Sequence, residues 1–271
     1  MTVELFGEIV SDDWAWLYEK FGITFSCPKQ VRDAIRKLPE GEALILEINS
    51  PGGDVWAGFE IFGMLQACRS DTEAHIIAMA ASAATTVMCG CSRVLASPVA
   101  QIMIHQPQAF VDEYLNNDGA EHLKNYLDSV KASILNGYVI KSAGKATRKR
   151  FEELVDDSTW MPAQDAMALG LVDGLLDLDS DDAAAIAAAS NIRVKNAAGL
   201  SPAPKGLLAR YEAAVRAGQM AEVPGHPVVS QEPPTAPQKP AEALLSDRAD
   251  VDLLGDWHLM AAIELEKARD V

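Results

Sequence analysis

The chain has 271 residues, 49% of them hydrophobic, which allows one domain of ordinary size plus an extension, or two small domains. Its formal charge of −16 would repel phosphate backbones and excludes non-specific binding of DNA or RNA. Four cysteines (Cys27, Cys68, Cys89, Cys91) lack paired metal-ligand spacing, no signal-peptide pattern opens the chain, and no apolar run is long enough to span a bilayer. The expectation is a soluble, cytoplasmic-type protein with no metal, no cofactor and no membrane partner.

In chain order, Val3 to Val10 reads as a first strand and Asp12 to Phe21 as an irregular or helical lead-in. Pro28 opens a helix with Val31, Ile35 and Leu38 on one face, and Gly41 ends it. Ala43 to Ile48 is an apolar run of strand length, followed by a Pro-Gly-Gly turn through Gly53. Asp54 caps the next helix, whose apolar positions include Val55, Phe59, Phe62 and Leu65. A strand at Ala74 to Ala78 leads into Met79-Ala80-Ala81-Ser82-Ala83-Ala84-Thr85 and a helix of small residues up to Gly90. Strands around Val94-Leu95 and at Gln101 to Ile104 follow, the second ending at His105-Gln106-Pro107. Alternating strands and helices imply a largely parallel sheet, and the class is α/β.

From Ala120 to Ser142 a long amphipathic helix carries Leu123, Leu127, Val130, Ile134 and Tyr138 at helical spacing, with Gly144 as its stop. A shorter helix covers Arg148 to Val155, Trp160-Met161-Pro162 breaks the chain, and Ala163 to Leu169 is again helical. The folded domain is expected to span residues 1–178. Beyond it the composition changes: eight of the fourteen prolines lie between Pro202 and Pro240, and Ala183 to Ala189 is nearly all alanine. Residues 179–271 therefore read as a largely disordered tail, with two helical islands at Lys205 to Arg216 and Val251 to Ala268 that could dock on a partner.

Three stretches carry chemistry. Ser82 stands where a strand turns into a helix, with the first free N–H groups and the positive end of the helix dipole beside it. A hydroxyl there can attack a carbonyl while backbone N–H groups hold the oxyanion, although a lone serine at this place is more often a helix cap. Asn49-Ser50-Pro51-Gly52-Gly53 is a turn whose glycines allow backbone geometries that expose N–H groups, though Pro-Gly-Gly is also an ordinary tight turn. His105 follows an apolar strand, where a structural histidine is the commoner outcome, and Asp156 and Asp157 follow a helix, where a solvated acidic end is the default. The three converge only if the topology gathers their strand ends, beyond which parallel sheets bind ligands.

Taken together, Ile48-Asn49-Ser50-Pro51-Gly52-Gly53, Ala80-Ala81-Ser82, Met103-Ile104-His105-Gln106-Pro107 and the Gly-Leu-Val-Asp ending at Asp173 resemble the Clp protease proteolytic subunit (ClpP) family, in order and spacing, over residues 1 to about 178. Within it the chain is most similar to the shortened ClpP-like head maturation proteases of tailed phages and prophages. The resemblance implies a crotonase-like α/β fold, serine endopeptidase activity on protein or peptide substrates, and assembly into homo-oligomeric rings. The helix from Ala120 would be the handle through which rings stack.

Carried over residue by residue, the resemblance makes Ser82 the nucleophile and His105 the general base, with the N–H groups of Gly53 and Ala83 as the oxyanion hole. The family places an acid two residues before the aromatic that Trp160 matches, and that position here is Ser158. Asp157, one residue earlier, is the expected acid, with Asp156 the next candidate. The N-terminal segment is too brief for the family's axial loops, which argues against dependence on an ATP-driven unfoldase. The tail suits a capsid-assembly protease, with capsid or scaffold proteins as partners, working in the host cytoplasm or inside a procapsid.

Three other classes are open to the same residues. A crotonase-fold acyl-CoA enzyme would use a similar pair of N–H groups, but no basic patch is present to receive the nucleotide of CoA. A serine–lysine signal-peptide-peptidase-like enzyme would carry a membrane anchor. A catalytically lapsed ring acting only as an assembly scaffold is the remaining rival, because of Ser158.

Overall fold

The structure is a computed structural model that describes residues 1–111, 114–176 and 204–224. The chain begins with β1 (Thr2–Ile9), α1 (Asp12–Phe21), β2 (Phe25–Ser26) and α2 (Pro28–Lys37). The central pair, β3 (Leu44–Gly53) and β4 (Thr72–Ala81), is joined by α3 (Val55–Ala67), and α4 (Ala83–Cys89) follows β4 directly. Next come β5 (Arg93–Ala96), β6 (Gln101–Ile104), the long helix α5 (Asn117–Ser142) and α6 (Arg148–Asp156). β7 (Thr159–Pro162), α7 (Ala163–Leu169), β8 (Gly174–Leu175) and α8 (Pro204–Arg216) complete the described elements.

One sheet holds all eight of these strands in the order β2-β1-β3-β4-β5-β8, with β6 joined to β4 and β7. Every pairing is parallel except β6–β7. This is the mixed α/β architecture that alternating strand and helix patterns predict. Along β3 burial alternates, with Leu44, Leu46, Ile48 and Ser50 inside, as the two-residue strand period requires. The core gathers these residues with Ala74 and Ile76 of β4, Ile61 and Leu65 of α3, and the C-terminal half of α5.

The partner of β4 changes halfway along its length. Glu73–Ile76 pair with Arg93–Ala96 of β5, and Met79–Ala81 then pair with Gln101–Met103 of β6. That handover carries β6 alongside the last residues of β4. Two segments read from the sequence as turn or break are strands. The Pro-Gly-Gly stretch is the end of β3, held by parallel pairing of Gly52 and Gly53 with Glu8 and Ile9. Trp160-Met161-Pro162 belongs to β7, which runs antiparallel to β6 with Ile104 opposite Thr159 and Met103 opposite Trp160. Proline is compatible with strand ends, and Pro162 is the last residue of β7.

At 26 residues, α5 is about 39 Å long. Its C-terminal half buries Val130, Ile134, Leu135 and Tyr138, whereas no residue from Asn117 to Ser129 is buried. The first half therefore lies largely exposed at the surface of the domain. Of the two predicted tail islands, the first forms α8. Leu207 and Tyr211 are buried, Tyr211 meets Trp16 of α1 edge-on with centroids 5.1 Å apart, and the Arg210 guanidinium lies 5.2 Å over the Phe21 ring. A segment expected in a mobile tail thus packs on α1, and the compact unit runs from Met1 to Met220. The expected island at Val251 to Ala268, and the proline- and alanine-rich stretches, lie outside the described residues. Among the described residues, no helix is long and apolar enough to cross a membrane.

Candidate active site

Ser82 is the junction between β4 and α4, and its backbone is strained, with φ 56° and ψ −122°. For a residue bearing a Cβ, such a conformation costs about 1–3 kcal/mol and persists only where its surroundings impose it. Here the Ser82 N–H donates to the Met103 carbonyl (2.9 Å), and its own carbonyl accepts from the N–H groups of Thr85 (3.0 Å) and Thr86 (3.3 Å). The buried Thr85 hydroxyl lies 2.8 Å from the Ala80 carbonyl and 2.7 Å from that of Met103, tying β4 to β6 around the serine. The whole of α4 is buried, which its small residues permit.

The Ser82 side chain makes no capping hydrogen bond to α4. Its Oγ lies 2.7 Å from His105 Nε2. The sheet accounts for this meeting. Ala81 is level with Met103, so the chain leaving β4 and the chain leaving β6 emerge side by side at the carboxyl end of the sheet. Burial alone holds the His105 imidazole below the usual histidine range, because the charged ring is poorly solvated there. A neutral ring is the form able to accept the serine proton.

The glycine turn at the end of β3 faces the same point. Gly52 has φ +94°, and a Cβ on it would lie 2.6 Å from Ser82 Cβ and 2.9 Å from the Ala83 nitrogen. Gly53 has φ +145°, and a Cβ there would lie 2.1 Å from the Ile9 carbonyl oxygen. Only glycine satisfies both positions. The Ser50 hydroxyl accepts from the Gly52 N–H (3.1 Å), and Asp54 caps α3 by accepting from the Ala57 N–H (2.8 Å), so the turn is fixed at both ends. Gly53→Ala is expected to lower stability by at least about 2 kcal/mol through strain and clash. If the Gly53 N–H is the oxyanion donor that the resemblance implies, loss of this geometry should separately reduce turnover by about 10²–10³-fold. Thermal melting and kcat measured on the same variant check the two effects.

The expected acid is placed differently. Asp157 is the exposed C-cap of α6, its N–H donating to the Glu153 carbonyl (3.0 Å). Among the described residues, the only hydrogen bond of the His105 ring is the one to Ser82. Asp156 accepts from Gln106 Nε2 (2.8 Å) and pairs with Lys131 of α5, and so is committed beside His105 rather than to it. Ser158 lies in the turn just before β7, next to Thr159, which pairs with Ile104 of β6. Ser158 adopts the left-handed conformation with φ 50°.

Ser82, His105, Gly52, Gly53 and Ala83 line one cleft of about 400 Å³. Its inner wall includes Ile134 and Tyr138 of α5, and its outer part Trp56 and Tyr126. The Trp160 indole N–H, also in this wall, is buried with no acceptor among the described residues. Sequence reasoning missed Trp56, Tyr126 and Thr85. Trp56 and Tyr126 come from helices distant in sequence, and Thr85 differs from any small helical residue only in where its hydroxyl points. Among the described residues, no group of three or more His, Cys, Asp or Glu is placed to hold a metal ion.

A family model described as Clp protease matches residues 35–179. The ATP-dependent Clp protease proteolytic subunit 1 of Chlamydia muridarum is 33% identical over 168 residues, covering 57% of this chain and 85% of that protein. Its counterpart in Chlamydia pneumoniae is 32% identical over 174 residues, covering 59% and 88%.

Proposed function

The chain belongs to the Clp protease family, and on that premise we propose that it is a serine endopeptidase working through an acyl-enzyme at Ser82. The observation that carries this reading is the 2.7 Å approach of His105 Nε2 to Ser82 Oγ beside the Gly52–Gly53 turn. His105 takes the hydroxyl proton as Ser82 attacks the scissile carbonyl, the N–H groups of Gly53 and Ala83 hold the oxyanion, and His105 then protonates the leaving amine. Water repeats the cycle on the acyl-enzyme. Asp157 is the carboxylate nominated to steady the imidazole, by a one-residue shift of the turn at Ser158.

The pH profile tests the role of His105. A base held below its ordinary value of 6.5 by burial stays neutral at mildly acid pH, so the acid limb of kcat/KM should fall below pH 6.5. The same shift has a stability consequence. The unfolded chain binds the proton more readily than the folded one, so this contribution is fully present above pH 6.5 and declines as pH falls below it. An acid limb above pH 7 would instead show a carboxylate on the ring, as the nominated shift of Asp157 would supply, and would mean that burial does not set the His105 pKa in the working enzyme.

We infer a homo-oligomer, ring-shaped as the resemblance implies. The exposed half of α5 supports it: Leu123 and Leu127, with Leu115 just before the helix, line a groove of about 350 Å³. Apolar surface of that kind marks an interface. The finer reading, a head maturation protease acting on capsid or scaffold proteins, draws support from the resemblance and from the composition of the tail. Co-expression with a shell-forming capsid protein tests it, with cleavage read by intact mass. An uncut capsid protein beside an active peptidase would leave a general protease. A second reading, a weak or lapsed enzyme kept as a scaffold, is favoured by the absence of a carboxylate on the His105 ring among the described residues.

A further inference from the structure

Two half-exposed aromatic side chains meet at the mouth of the Ser82 cleft. The Trp56 indole N–H donates to the Tyr126 hydroxyl (3.0 Å), joining the first turn of α3 to the exposed half of α5. The ring centroids are 6.4 Å apart and tilted by 41°. Phe59 meets Trp56 edge-on at 89° with centroids 5.7 Å apart, which fixes the plane of the indole. Trp56 is 56% exposed, whereas Tyr138, deeper in the same cleft, is 1% exposed. Trp56 stands three residues after Gly53, so whatever rests on the indole lies next to the oxyanion turn.

We propose that Trp56 and Tyr126 form an aromatic clasp across the cleft that selects peptide substrates carrying an aromatic side chain close to the scissile bond. The clasp deepens the peptidase reading and rests on it for the identity of the ligand. An indole held by Phe59 and Tyr126 and more than half exposed is a stacking platform, and aromatic rings prefer the offset or edge-to-face contacts it offers. The single hydrogen bond to Tyr126 holds the platform in place, yet is exposed enough to break and reform as a chain enters. The bond also links the site to the half of α5 that carries the exposed apolar surface.

Binding to a full-length Ser82→Ala protein tests this without requiring turnover. The probes are two fluorescein-labelled octapeptides, identical except for phenylalanine or alanine at one central position. The phenylalanine peptide should bind about tenfold more tightly by anisotropy. Adding Trp56→Ala should bring the two affinities within about twofold. Tyr126→Phe, which removes only the hydroxyl, should give an intermediate ratio by unlatching the indole. A parent protein with no preference, or a Trp56→Ala variant that keeps the parent ratio, overturns the clasp. If Trp56→Ala does not fold, an unchanged ratio in Tyr126→Phe overturns the latch. A wild-type protein that binds the phenylalanine peptide selectively but never cleaves it would overturn the peptidase reading and leave the clasp standing.

Discussion

Ser82→Ala should abolish peptide hydrolysis, with a loss on the order of 10⁶ in turnover if Ser82 is the nucleophile, while the melting temperature stays within about 2 °C of wild type. The second half of this expectation carries as much weight as the first. A serine that served as a helix cap would cost about 0.5–2 kcal/mol on replacement by alanine, several degrees in a domain of this size. Here the side chain makes no capping bond, and among the described residues its only hydrogen-bond partner is His105. The backbone strain at φ 56° is unaffected, because alanine carries the same Cβ as serine. Lost activity with retained stability separates a nucleophile from a cap. Lost stability with residual activity would reverse the assignment.

The second large effect is a gain. Ser158→Asp should raise kcat/KM by about 10² or more and move the acid limb of the pH profile upward, as a carboxylate on the imidazole stabilises its charged form. The upper bound is the factor on the order of 10⁴ by which loss of the partner's charge slows a serine protease, as in chymotrypsin-type enzymes. Position 158 is suited to the change. It directly precedes Thr159, whose β6 partner Ile104 directly precedes His105, and aspartate tolerates the left-handed backbone at φ 50° better than most residues. Asp157→Asn completes the comparison. A loss of two orders of magnitude or more would keep Asp157 as the orienting carboxylate, whereas a near-neutral result would remove it from the machinery. A neutral outcome for both variants in an active enzyme would mean that His105 works without a charged partner.

How far the sequence could be read depends on the range of each interaction. The helices from Pro28 and from Asp54 were legible because their signals are local: a proline at the first position, an aspartate accepting from Ala57, and apolar residues at helical spacing. The pairing of Ser82 with His105 depended on two strands lying side by side, and only the motif resemblance brought them together in advance. β7 was hidden because four residues ending in proline lack strand periodicity; their pairing comes from β6. The strand character of Asn49 to Gly53 was masked by turn-type residues that pairing with the parallel neighbour β1 keeps in the sheet. The docking of α8 rests on Trp16, Phe21, Arg210 and Tyr211, which sequence alone leaves as solvent-facing aromatics and a solvated charge.

Covalent labelling tests the central claim most directly. The full-length protein is incubated with a fluorophosphonate, and the adduct is located by peptide mass spectrometry. A single adduct on Ser82, absent from Ser82→Ala and strongly slowed in His105→Ala, is the predicted result. A protein that hydrolyses peptides but carries no adduct on Ser82, or whose labelling is indifferent to His105, would contradict it.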